Sequence, residues 1–100
     1  MLNLLFVYGT LGRTFDNEYA RLLRASADFE REAAIRGRLH ALGPYVAFAP
    51  DGDEQVGGEL YRLREPERTL EALDDYEGED YERVVVEVEG SPAWIYRLRG

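Results

Sequence analysis

Two short stretches hold residues whose types and spacing could do chemistry. Tyr8-Gly9-Thr10-Leu11 stands where an apolar run, Leu2 to Val7, comes to its end. Gly9 can take a positive φ, and a turn there leaves successive N–H groups facing outward, a cradle for an oxyanion or a carboxylate. On these four residues alone, an ordinary strand-to-turn exit is the simpler reading. The second stretch is Leu73-Asp74-Asp75-Tyr76-Glu77-Gly78. Leu70, Leu73 and Glu77 recur at helical spacing, so Glu77 continues an apolar stripe and its carboxyl is aimed at the core. Asp74 joins Glu67 and Glu71 on the opposite, solvent-facing side, and Asp75 lies off the stripe. Burial and the negative end of the helix dipole both disfavour an ionised Glu77, which raises its proton affinity into the range useful for acid–base work. The plain alternative is a frayed helix end with its carboxylate in water. Tyr8 and Tyr81 flank the two stretches.

Composition removes several other chemistries. The 100 residues contain no cysteine, so thiol catalysis, cysteine-ligated zinc and disulfides are all excluded, and the chain suits a reducing, cytoplasmic interior. His40 is the single histidine, which excludes a multi-histidine metal site; neither Ser26 nor Ser91 stands in a nucleophile-elbow sequence. Six carboxylates crowd Asp74 to Glu82, but with Gly78 at the glycine position of a calcium loop the first and last ligands would be Leu73 and Val84, so a solvated acidic surface is the better account. Twenty acidic residues against twelve arginines give a formal charge of -8, which repels nucleic acid and anionic membrane surfaces. The longest apolar run is too short to span a bilayer.

The elements that must position the candidates follow from periodicity. Leu2 to Val7 predicts a strand buried on both faces, and Asn17 to Ala25 a short amphipathic helix. From Ser26 to Leu42 the signals conflict: Glu30 to Ala34 has helix composition, whereas alternation predicts a strand from about Ala33. Turn clusters at Leu42-Gly43-Pro44 and Pro50-Asp51-Gly52-Asp53 bracket a short edge strand, Tyr45 to Ala49, and Val56 to Leu63 resumes a strand. Pro66 opens a second helix that Gly78 stops. Tyr81 to Val88 alternates, with Val84, Val86 and Val88 on one face; after a turn at Gly90-Ser91-Pro92, Ala93 to Leu98 pairs back as a hairpin. One α+β domain over residues 1–100 results, a small mixed sheet curled towards a barrel with two helices.

Phe6-Val7-Tyr8-Gly9-Thr10-Leu11, Val56-Gly57-Gly58-Glu59-Leu60-Tyr61, and Leu73 to Gly78 followed by Tyr81-Glu82-Arg83 stand in an order that resembles the gamma-glutamylcyclotransferase-like family from end to end, including the closing Ala93-Trp94-Ile95-Tyr96. The resemblance implies a mixed β-barrel with helices outside, a pocket lined by the Tyr-Gly-Thr-Leu turn, and Glu77 as the motif glutamate. It also implies release of 5-oxoproline from a small gamma-glutamyl amine or peptide. Gly12-Arg13-Thr14-Phe15-Asp16 departs from the commoner basic, asparagine-rich first loop, and this bears on substrate identity. In the mechanism that follows, Glu77 is general base and acid, and amides near Gly9, Thr10 and Leu11 receive the oxyanion or the substrate carboxylate; no metal or cofactor is used. Arg83 is expected to pair with Glu79 or Asp80 rather than with substrate. The competing expectation is a non-catalytic small-ligand-binding or regulatory module of the same fold. Oligomeric state is not encoded in any feature of the sequence.

Overall fold

The computed structural model describes residues 2–8, 18–42 and 45–98. Along the chain these form β1 (Leu4–Val7), α1 (Glu18–Ser26), β2 (Ala27–Leu42), β3 (Tyr45–Leu63), α2 (Pro66–Glu77), β4 (Tyr81–Val88) and β5 (Ser91–Leu98). The sheet runs β2-β3-β1-β5-β4. β1 is antiparallel to β3, with Phe6 opposite Leu60, and parallel to β5, with Leu5 opposite Trp94. The far end of β3 also reaches β5, Phe48 meeting Arg97. One strand thus serves two neighbours, and the mixed sheet closes on itself; with β3 counted as two segments, six segments make the ring.

Alternation of side chains sorts the core into two parts. Inside the ring lie Phe6, Ile35, Phe48, Val56, Leu60, Val88, Ala93 and Ile95. On the other face Leu5, Val7, Tyr61, Leu63 and Tyr96 pack against Leu23 of α1 and Leu70 and Leu73 of α2. Leu23 and Leu73 are completely buried, each contributing roughly 1.5–3 kcal/mol of apolar transfer free energy. This packing gives α2 its orientation: its leucine stripe must face the sheet, and its last turn is carried towards the ends of β1 and β5. Gly78, at φ 76°, stops the helix, and its N–H donates to the Asp74 carbonyl at 3.1 Å.

Several expectations are corrected. β2 begins at Ala27 rather than near Ala33, so Glu30 to Ala34 is strand despite its helix composition. Pairing with β3 overrides the propensity, with a bulge between Phe29 and Arg31 and cross-strand ion pairs from Arg62 to Glu30 at 2.7 Å and Arg64 to Asp28 at 3.0 Å. The Pro50 to Asp53 turn cluster does not divide two strands: β3 runs through it, and the pairing jumps from Gly37–Glu54 to Arg38–Ala49, so residues 50–53 bulge out of the ladder; nor is Tyr45 to Ala49 an edge, since Phe48 pairs with both β2 and β5. The hairpin between β4 and β5 turns at Glu89 and Gly90, not at Gly90 to Pro92, and Ser91 and Pro92 already pair in β5; the φ values of 50° and 91° at Glu89 and Gly90 are those of a tight, twist-matched turn. The Glu89 carboxylate there accepts the Ala34 N–H at 3.2 Å and pairs with Arg31, tying the hairpin to the outer strand.

Candidate active site

Glu77 ends α2, one residue before the glycine that stops it. Its side chain is half-buried, and that burial alone raises its pKa from 4.5 to about 7. The carboxyl therefore neither hangs in water nor is sealed in the core. At neutral pH it exchanges between acid and base forms, as a proton shuttle requires.

Of the other candidates, Tyr8 approaches it from the sheet. Tyr8 leaves the end of β1 on the inner face, and its hydroxyl donates to the Tyr96 carbonyl at 2.5 Å and accepts the Phe48 N–H at 2.7 Å. Burial drives its phenol well above the usual tyrosine range; the Phe48 hydrogen bond opposes this, and the charges of Glu77 and Tyr81 add to it. Glu77 of α2 and Tyr81 of β4 are thus each within electrostatic reach of Tyr8 at the end of β1. The Tyr8 hydroxyl is committed to two backbone groups, so this residue ties the β1 exit to β3 and β5. Gly9, Thr10 and Leu11, the candidate amides, lie outside the described residues, as does the side chain of His40.

A second cluster stands directly behind Glu77. Asp74, expected on the solvent face, is bound on the sheet side of its helix. Arg83 grips its carboxylate with Nε at 3.0 Å and Nη2 at 3.1 Å, and the Tyr96 hydroxyl donates to Oδ1 at 2.7 Å. Burial pushes the Asp74 carboxyl up, but the hydrogen bonds from Arg83 and Tyr96 and the guanidinium charge overcome it and hold the group below its ordinary value. Arg83 is therefore taken by Asp74 and not by Glu79 or Asp80, and its guanidinium lies 4.3 Å over the Trp94 ring. Trp94 is itself anchored by its Nε1–H to the Leu2 carbonyl at 3.0 Å. The register of the hairpin explains the contact, since Arg83 pairs with Tyr96 and Val85 with Trp94, placing all four side chains on the helix-facing side. Glu82 pairs with Arg97 at 2.8 Å, so the acidic run from Asp74 is not wholly solvated.

No group of three or more metal-ligating side chains gathers among the described residues, and no helix among them is long and apolar enough to cross a membrane. An open hollow at the other end of α2 is lined by Glu65, Pro66, Glu67, Arg68 and Glu71. Its three carboxylates suit an anionic amino-acid substrate poorly.

The Glu77 carboxyl has a consequence for stability. Between about pH 4.5 and about 7 the folded protein holds this proton and the unfolded chain does not, so its contribution to stability falls as pH rises through that window and is flat above it. Urea unfolding at about pH 5 and about pH 8 should show Glu77→Gln gaining on the wild type by on the order of 2–3 kcal/mol between the two conditions.

The arrangement has counterparts. Residues 5–100 match the model of a family described as gamma-glutamyl cyclotransferase, AIG2-like. A Vibrio cholerae protein described as "Putative gamma-glutamylcyclotransferase" is 34% identical over 98 residues, covering 96% of this chain and 82% of that protein. Two crystal structures share the fold. An uncharacterized Pyrococcus horikoshii protein superposes with a TM-score of 0.79 at 22% identity, covering 96% of this chain and 77% of that one. A mouse AIG2-like protein gives 0.75 at 23%, covering 96% and 76%. The sheet and helices define the α+β gamma-glutamyl cyclotransferase-like fold. This chain belongs to the AIG2-like gamma-glutamyl cyclotransferase family.

Proposed function

We propose that the chain is a gamma-glutamylcyclotransferase that converts a gamma-glutamyl amine or peptide into 5-oxoproline and a free amine, with Glu77 as its general acid and base. The observation that carries this is the half-buried Glu77 carboxyl, with a pKa near 7, within electrostatic reach of Tyr8 at the β1 exit. In this reading Glu77, as carboxylate, takes a proton from the substrate's α-ammonium. The freed nitrogen attacks the γ-carbonyl carbon, a C–N bond forms, and the carbonyl oxygen becomes an oxyanion that amides near Gly9, Thr10 and Leu11 stabilise. Glu77 returns its proton to the leaving nitrogen as the original amide bond breaks. The second proton on the ring nitrogen follows the same route, so the amine departs protonated and the new lactam is neutral at nitrogen. Nucleophile and electrophile belong to one molecule, so holding a folded conformer supplies much of the acceleration, and the steps call on no cofactor. In this reading Tyr81 borders the substrate on the β4 side.

The test is incubation of the purified chain with a panel of gamma-glutamyl amines and gamma-glutamyl dipeptides, following 5-oxoproline and amine together. Equimolar appearance of both is expected for at least one class. Binding of these compounds without any 5-oxoproline would replace the enzyme by a ligand-binding module.

A further inference from the structure

Tyr96 is bonded at both of its ends. Its backbone carbonyl accepts the Tyr8 hydroxyl at the β1 exit, at 2.5 Å, and its own hydroxyl donates to Asp74 in the last turn of α2, at 2.7 Å. Asp74 stands three residues before Glu77 on that turn, and its carbonyl accepts the Gly78 N–H that closes it. Arg83, stacked on Trp94, holds the same carboxylate from β4. A phenylalanine would fill the volume that Tyr96 occupies against Leu70 and Leu73, so packing alone gives no reason for a buried hydroxyl.

We infer that Tyr96 is a positioning residue of the site: through its carbonyl to Tyr8 and its hydroxyl to Asp74, it sets the separation between the β1 exit and the helix turn that carries Glu77. The inference rests on the reading of Glu77 as the acid–base group. One carboxyl must reach both the α-nitrogen and the leaving nitrogen, and a displacement of about 1 Å in such a group can lower a rate by up to about a hundredfold. Among the described residues, the ionisable groups that face Glu77 from other elements are Tyr8 from the β1 exit and Tyr96 from β5, with Tyr81 of β4 coupled to Tyr8; Asp74 and Arg83, on α2 and β4, neutralise each other.

The test uses Tyr96→Phe, Asp74→Ala and Asp74→Asn in the full chain. It reads kcat and KM on the gamma-glutamyl compound the wild type turns over fastest. It also reads the titration midpoint of the Glu77 carboxyl by carbon NMR, assigned by its loss in Glu77→Gln. Tyr96→Phe should lower kcat about tenfold with KM within about twofold. It should also move the Glu77 midpoint down by about half a unit or more as water reaches the loosened turn. Asp74→Ala should act in the same direction, and Asp74→Asn, whose amide oxygen still accepts the phenol, should restore most of what alanine loses. Thermal melts establish that each variant is folded at the assay temperature. A folded Tyr96→Phe with wild-type kcat and an unmoved midpoint overturns the inference, even if its melting temperature falls, because Tyr96 is then a structural brace only. If Glu77→Gln is as active as the wild type, the acid–base reading fails separately, and the midpoint in Tyr96→Phe still decides whether Tyr96 positions that carboxyl.

Discussion

Glu77→Gln should keep the fold and lose turnover of gamma-glutamyl substrates by on the order of a hundredfold or more. The amide has nearly the shape of the carboxyl but takes up no proton, so it removes the base of the first step and the acid of the second together. Because Glu77 is ionised against the preference of its half-buried surroundings, the same change should leave the folded protein more stable above neutral pH. Loss of activity with a gain in stability is the signature of a side chain kept for chemistry, and ordinary packing residues do not show it. The measurement pairs steady-state rates with urea melts on one preparation of each protein. An inactive variant that was also less stable would instead indicate a structural contribution from Glu77.

The second large effect is expected from backbone packing rather than from charge. A Cβ at Gly58 would sit 2.3 Å from the Val7 carbonyl oxygen and 2.7 Å from the Phe6 ring, both fixed in the core. Neither a backbone carbonyl nor a buried aromatic ring can swing aside cheaply, so Gly58→Ala should destabilise the fold by about 3 kcal/mol or more. The displaced end of β1 carries Tyr8, so the ring closure through Phe48 and Tyr96 should loosen with it. Gly57, one residue away, has open space where its Cβ would go. Gly57→Ala should therefore change stability by no more than about 0.5 kcal/mol. The contrast, read by denaturant melts, separates a close backbone approach from a general dislike of side chains in this strand.

The inward setting of Glu77 was legible because helical spacing of Leu70, Leu73 and Glu77 is a local signal, and a carboxyl on a leucine stripe must be desolvated wherever the helix packs. The N-terminal strand and the final hairpin were equally local, written in the apolar run to Val7 and the alternation from Tyr81. What misled was long-range. Nothing within Glu30 to Ala34 announces that a partner strand will pull it out of helix, and Pro50 to Asp53 has the composition of a turn although the chain passes through it as a bulge. Asp74 read as a solvent-facing acid because its partners, Arg83 and Tyr96, come from other elements. The alternation of Tyr81 to Val88 carried part of the signal: with the turn at Glu89 and Gly90, rather than at Gly90 to Pro92, counting back puts Arg83 opposite Tyr96, on the face that α2 must cover.

The central claim is that one inward-turned carboxyl moves the protons of an internal cyclisation. Its most direct test is the pH dependence of kcat/KM for a gamma-glutamyl substrate, measured beside the carbon NMR titration of Glu77. The rate should rise with pH through an apparent pKa of about 7, coincident with the Glu77 midpoint. A Glu77 midpoint near 4.5, the ordinary carboxyl value, with the rate limb elsewhere, would contradict it.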